Sequence, residues 1–211
     1  GRWPLGPLAR LLAEEHAEVL ARWRAGWDRL NVRDVRRVRF GAATSRERGV
    51  EPADPIVLVF ADDPRERGSG RSLTVELTGS TELLTERASV GLLLHHRGGE
   101  QGRVTELREG LRAFFDHAAL ATMSPDRAGH ASLQLYADRD APVELRYASI
   151  DDLSARAWLA ALVDDLLGHA HPYLFPIDAV LRLADRFRDA RGSAIVDSIE
   201  HVRERWGGGQ S

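Results

Sequence analysis

The chain has 211 residues, 43% hydrophobic and 29% charged, with 29 basic residues against 32 acidic ones and a net charge of −3. That balance excludes attachment to nucleic acid through a large overall basic excess, although arginines can still cluster locally. Cysteine is absent, which excludes disulfides and thiolate metal sites, and no apolar run approaches the ~18 residues that a membrane span needs.

Residues 7–30 carry helical periodicity. Leu8, Leu11, Leu12, His16, Val19, Leu20, Trp23, Trp27 and Leu30 recur at spacings of three and four, which marks one apolar face. Pro4 and Pro7 stand where a helix starts. Residues 35–40 alternate between Val or Phe and Arg and predict a strand. Turn formers and charges make 41–54 a loop. Ile56 to Phe60 predicts a short apolar strand, closed by Ala61-Asp62-Asp63-Pro64, and 62–71 reads as an exposed loop. Residues 72–78 and 90–97 predict the central strands. Gly98, Gly99 and Gly102 break the chain before an amphipathic helix over 103–122. Residues 131–137 and 142–148 alternate like a strand pair around Asp138-Arg139-Asp140. A third helix is predicted over 153–168, ending at Gly168.

His171 to Pro176 is expected to be extended, since its two prolines disfavour helix. Two closing helices over 177–189 and 193–206 and a flexible tail over 207–211 complete the reading. No internal repeat is visible. The order predicts a single domain over 3–206 of the α/β or α+β class, a small mixed central sheet flanked by helices. No secretory leader pattern opens the chain, and a cytoplasmic location is expected.

Lysine is absent too, so every basic residue is arginine. This bears on one stretch. Val75 to Glu82, a connector, and Gly91 to Arg97 are laid out like the catalytic hairpin of a PD-(D/E)XK nuclease. Such a site needs a carboxylate on the first strand. It needs a second carboxylate and a lysine, two residues apart, on the next. Strand alternation puts residues two apart on one face, so a divalent ion sits beside the basic group that helps activate water. Here the first position is Glu82, and the pair reads His95 and Arg97. The hairpin has the layout of a nuclease without its chemistry.

The order of segments resembles the C-terminal domain of the exodeoxyribonuclease V gamma subunit, the RecC family. The resemblance rests on the entry Trp3-Pro4-Leu5-Gly6-Pro7-Leu8 and on the hairpin segments Leu73 to Gly79 and Leu92 to Arg97. It rests also on the helix from Leu111 to Thr122, the Ala- and Leu-rich helix from Ala155 to Leu167, and the extended piece Pro172 to Pro176. It covers roughly residues 3–190 through soft motifs, and Phe114 stands where the family usually has Trp. The resemblance implies a degenerate PD-(D/E)XK core without nuclease activity. It implies a structural and DNA-guiding role in a RecBCD-type helicase and exonuclease complex of double-strand-break repair, with helicase–nuclease subunits and single-stranded or forked DNA as partners. No cofactor or metal is expected.

Other readings stay open. Glu82 and His95 could hold a soft transition metal beside Arg97 in a divergent nuclease. The blander expectation makes Glu82 a solvated strand-end acid, His95 a packed core histidine, and Arg97 the ion-pair partner of Glu82; the functional alternative for Arg97 is a phosphate contact. Arg33, Arg36, Arg37 and Arg39, with Arg46 and Arg48, form the densest basic stretch. It is either a phosphate-tracking strip or a solvated strand face balanced by Asp28, Asp34 and Glu47. Trp23, Trp27 and Trp158 are expected to pack. His16 is expected on a helix core face, and His117 with Asp116 to pack or cap locally. Asp164-Asp165 are expected on an exposed face, and His169 and His171 at a helix C-terminus. The third alternative is a protein-interaction module, which an acidic groove over the sheet would favour.

Overall fold

The computed structural model describes residues 7–30, 34–42, 44, 47–96, 98–123, 129–169, 177–178 and 180–182. Arg33, Arg46, Arg97, His171, the Pro172 to Pro176 piece, most of both closing helices and the tail lie outside the described residues.

Helix α1 (Pro7–Arg29) leads into β1 (Arg37–Phe40), β2 (Val50–Ala53) and β3 (Ile56–Phe60). After a 3-10 turn over 64–66 come β4 (Leu73–Leu77), β5 (Gly79–Ser80), β6 (Leu83–Leu84) and β7 (Ala88–Leu93). Helix α2 (Gly99–Ala121), β8 (Ala131–Tyr136), β9 (Val143–Arg146) and α3 (Asp152–Gly168) follow. This is a mixed α and β architecture of small sheets and helices.

Apart from the two-stranded β3–β4 sheet, the strands form one main surface in two parts. β2 pairs parallel to β1, and β1 pairs antiparallel to β5. β6, β7, β8 and β9 form the other part, with β7 parallel to β8 and both outer pairings antiparallel. A bridge between Arg36 and Leu84 joins the two parts. Residues 79–84 therefore run along β1 as one interrupted strand. From the Arg39–Ser80 pair to the Arg36–Leu84 pair, β1 advances three residues and its partner four. That extra residue is a bulge. Thr81 fills it: its N–H reaches the Val38 carbonyl at 2.9 Å, and its hydroxyl accepts the Val38 N–H at 3.0 Å.

Parallel β7 and β8 need a long crossover, and α2 supplies it. Ser89, Gly91 and Leu93 pair with Ser132, Gln134 and Tyr136. Ser89 and Gly91 face α2, where they meet Asp116 and Glu109. α1 attaches elsewhere, at the ends of β7 and β8. Trp23 Nε1 donates to the Leu93 carbonyl at 2.9 Å and Arg22 to that of Ala137 at 3.4 Å, while Gly26 lies against Leu135. Its earlier turns stand clear of the body, with Leu11 62% and Leu20 61% exposed. The apolar core is Val38, Phe40, Ile56, Leu58, Leu84, Leu120 and Leu159, contributed by β1, β3, β6, α2 and α3. Trp158 packs edge-on against Phe114 at 4.8 Å, so it serves packing as expected.

Two sequence expectations are corrected. The 72–78 strand is not the partner of the 90–97 strand: β4 pairs with β3 along their whole length, from Ile56–Leu77 to Phe60–Leu73. The neighbour of β7 is the two-residue β6, joined to it by residues 85–87. There Thr85 N–H meets the Ala88 carbonyl and Ala88 N–H the Thr85 hydroxyl. The shorter connection wins because it costs least closure entropy. Second, part of the 41–54 loop is strand β2. Its Pro52 hid it, yet proline is tolerated on a sheet edge.

The 3-10 turn ties onto α3 through Arg67 and Asp164 at 2.7 Å. Asp63 caps it, accepting the Arg65 N–H at 2.9 Å and its guanidinium at 2.6 Å. The Arg65 hydrogen bonds hold the Asp63 carboxyl at about 2, below its ordinary 3.8. A carboxylate depressed in the folded state contributes stability above its unfolded value, and that is lost as pH falls through the folded one. The contribution of Asp63 is thus present above about pH 4 and lost toward pH 2. Asp63→Asn should flatten stability measured by urea titration across that window; an unchanged profile would remove this assignment. Gly41 ends β1 at φ +78°, and a Cβ there would meet Thr78 Cγ2 at 2.5 Å. Gly41→Ala should lower the unfolding free energy by about 1–3 kcal/mol in the same assay.

Candidate functional site

The hairpin positions do not converge. The Leu83–Val90 register carried one residue further sets Glu82 opposite Gly91. His95 lies four residues beyond Gly91, on the order of 13 Å along an extended chain. Its ring pairs instead with Asp138, Nδ1 to Oδ2 at 3.5 Å, and its side chain is 77% exposed. The expected packed histidine is therefore His96. Its Nε2 lies 3.0 Å from Glu106 Oε1 and its ring stands edge-on to Tyr136. The reason is that β7 ends at Leu93, so strand alternation does not govern His95 and His96. Burial works to raise the Asp138 carboxyl, but the His96 N–H and the neighbouring His95 outweigh it and hold it below its usual range. His16 is exposed rather than on a core face, because α1 packs only through its last turns. Asp165 is exposed as expected and pairs with His169 at the end of α3.

The arginine strip is divided by the strand that carries it. Val38 and Phe40 are buried, so Arg37 and Arg39 share the opposite, exposed face. Arg36 is engaged by Glu51, both of whose carboxylate oxygens lie within 2.9 Å of its Nη1. Arg39 stands 4.0 Å from Glu47.

What the fold does bring together is a polar layer between β7, β8 and α2. Asp116 Oδ2 accepts the Ser89 hydroxyl at 2.6 Å and the Glu82 N–H at 3.2 Å. His130 Nε2 lies 2.8 Å from the same Ser89 oxygen. Asp116 Oδ2 accepts from Ser89, so the Ser89 proton points to it, and Ser89 then accepts from His130 Nε2–H. The His130 ring stacks on His117 at 5.6 Å, and His117 Nε2 donates to the Ala148 carbonyl at 2.9 Å. Tyr147 flanks that stack and donates to the Gly110 carbonyl at 2.5 Å; burial pushes its phenol up to about 12. Gln134 donates to the Glu106 carbonyl and accepts from Tyr136.

Serine, histidine and aspartate in contact raise the question of nucleophilic catalysis. The order is wrong for it. A working triad places histidine between acid and serine, so that imidazole takes the hydroxyl proton. Here serine stands between the other two. Ser89 and His130 are each 2% exposed and His117 is 0%, so no substrate reaches them. The arrangement cross-links α2 to the sheet.

Sequence reading expected only local packing from Asp116 and His117 and passed over Ser89 and His130. The signal was present in two places. Ser89, Ser132 and Gln134 interrupt otherwise apolar strands at positions that share a face. Asp116-His117 interrupts the apolar side of α2.

The second feature is an open groove of about 1160 Å³ at the end of the sheet where β7 and β8 begin. Its charged lining is Asp34, Glu51, Glu86 and Glu144 against Arg36 and Arg87. Carboxylates outnumber guanidiniums four to two, which disfavours phosphate there. Among the described residues, no group of three or more His, Asp or Glu side chains is placed to hold a metal, and no helix is long and apolar enough to cross a membrane.

Asp116→Ala should cost about 2–3 kcal/mol, since it strands a buried hydroxyl and a backbone N–H. Ser89→Ala should cost roughly 1–2 kcal/mol, and the double variant less than the sum. Urea denaturation of the three proteins measures this; strictly additive losses would mean that the residues do not act as one network.

No protein-family model, curated protein or solved structure matches this chain.

Proposed function

We propose that this chain is a non-catalytic structural module, built on a degenerate PD-(D/E)XK-like core, that works by protein contact within a helicase–nuclease complex of the exodeoxyribonuclease V type. One observation carries the non-catalytic part. Along β7 the positions facing α2 are Ser89 and Gly91; the acid above Ser89, Asp116, is committed to Ser89 and to the Glu82 backbone, and the acid above Gly91, Glu109, is paired with Arg108 and Arg112. A hard divalent ion needs several carboxylate or carbonyl oxygens converging on one point. Here each of the two acids is engaged with partners of its own. The antiparallel hairpin followed by a helical crossover to a parallel strand supports the nuclease-like reading, as does the order of segments that underlies the resemblance.

Protein contact is favoured over DNA guidance by the charge of the groove. DNA guidance is kept as the second reading, because Arg37 and Arg39 share one exposed strand face.

Incubation with labelled single- and double-stranded DNA and magnesium or manganese should give no cutting. Co-expression with helicase and nuclease subunits of the exodeoxyribonuclease V type should give a complex that survives gel filtration. Metal-dependent cutting abolished by Glu82→Ala would overturn the proposal in favour of the divergent nuclease. If the chain guides DNA, Arg37→Ala with Arg39→Ala should flatten the salt dependence of single-strand binding by about 0.7 log unit for each lost phosphate contact. An unchanged slope would leave protein contact alone.

A further inference from the structure

We infer that the groove at the end of the sheet receives an extended peptide segment of a partner protein, with arginine or lysine residues alternating with apolar ones. The inference deepens the protein-contact reading and rests on it. Three observations carry it.

The first is charge. Four carboxylates face two guanidiniums, and the pairs inside that set are unequal in what they leave over. Arg36 is held by Glu51, and Glu144 by Arg146 at 2.6 Å. Asp34 and Glu86 remain on exposed loops, one before β1 and one in the turn into β7, with Arg87 beside the second. Each lies two residues beyond the antiparallel Arg36–Leu84 bridge, one on either strand, so a cation midway along the groove would meet both. A phosphate backbone would meet the same two carboxylates there.

The second is the floor. Leu30, Val50 and Leu133 are half-buried there, and Val35 is 36% exposed. Apolar surface beneath an acidic rim suits a strand-like ligand, whose side chains point alternately down and up.

The third is length. The lining is drawn from β2 at one edge of the sheet to β9 at the other. Those strands are five interstrand steps apart, roughly 24 Å in all, which about seven extended residues span.

The test is fluorescence anisotropy on the full chain. The probe is a labelled peptide of about seven residues alternating Arg and Val, matched to that span. A second peptide carries Glu in place of Arg, and a short single-stranded oligonucleotide is the competitor. Asp34→Asn with Glu86→Gln removes the two rim charges. Glu14→Gln with Glu15→Gln removes the same charge from the exposed side of α1. The Arg-Val peptide should bind, and the groove variant should weaken it roughly fivefold, as expected for two partly screened pairs. The α1 variant should leave it unchanged, and neither the Glu peptide nor the oligonucleotide should displace it. Equal weakening by both variants, displacement by the oligonucleotide, or no binding would each overturn the inference. Assembly with helicase and nuclease subunits is read separately. A chain that assembles but ignores the peptide loses the groove assignment alone, whereas one that binds the peptide but does not assemble loses the proposed function.

Discussion

A single carboxylate holds the centre of this fold. Asp116 sits on the inner face of α2 and reaches the sheet at two places, the Ser89 hydroxyl of β7 and the Glu82 N–H at the bulge. Through Ser89 it is linked to His130, just before β8. Through the His130–His117 stack the link returns to α2 and passes to the Ala148 carbonyl beyond β9. Hydrogen bonds in a buried polar network act together, and each orphaned partner has a desolvation cost. The helix therefore cannot slide or rotate on the sheet without leaving several polar groups unsatisfied together. An apolar interface of the same area would tolerate such a shift far better, because burial has no preferred direction.

The bulge at Thr81 and Glu82 belongs to the same constraint. One extra residue opposite β1 removes the Glu82 backbone N–H from the ladder. The Thr81 hydroxyl replaces a ladder acceptor for Val38, and Asp116 takes the N–H that the ladder gives up. Beyond the bulge, Leu84 enters the apolar core with no exposed surface. The fold thus has two neighbouring interiors on one side of the sheet. One is apolar, around Leu84, Leu120 and Leu159; the other is polar, around Ser89, Asp116 and His130. The first supplies burial and the second supplies orientation.

That division bears on function. A layer that commits its acid, its serine and its histidines to one another has little left for a substrate, and it lies out of reach of solvent. Among the described residues, the surfaces open to partners include the exposed faces of β1, β3, α1 and α3 and the groove at the strand origins. The charged groups around the groove favour cationic ligands over phosphates. The chemistry of this protein, on the proposed reading, is recognition.

The sequence by itself determined the elements whose signal is local. The periods of α1, α2 and α3, the alternation of β1, β8 and β9 and the apolar run of β3 are each written within a short window. It also determined that a lysine-dependent nuclease site is absent, since no lysine occurs anywhere in the chain. Only the tertiary structure decided which strand lies beside which. β4 and β6 are both plausible neighbours of β7 by composition, and loop closure together with the fit of β4 to β3 settled the choice. It also decided which polar residues meet. Ser89, Asp116 and His130 come from three separate elements, and no window contains them together. His96 takes the packed role expected of His95 because β7 stops at Leu93, and the alternation that assigned the face of His95 stops with it. Hydrophobic periodicity reports which face of an element is buried. It does not report what that face is buried against, because partner choice is a property of the whole chain's packing.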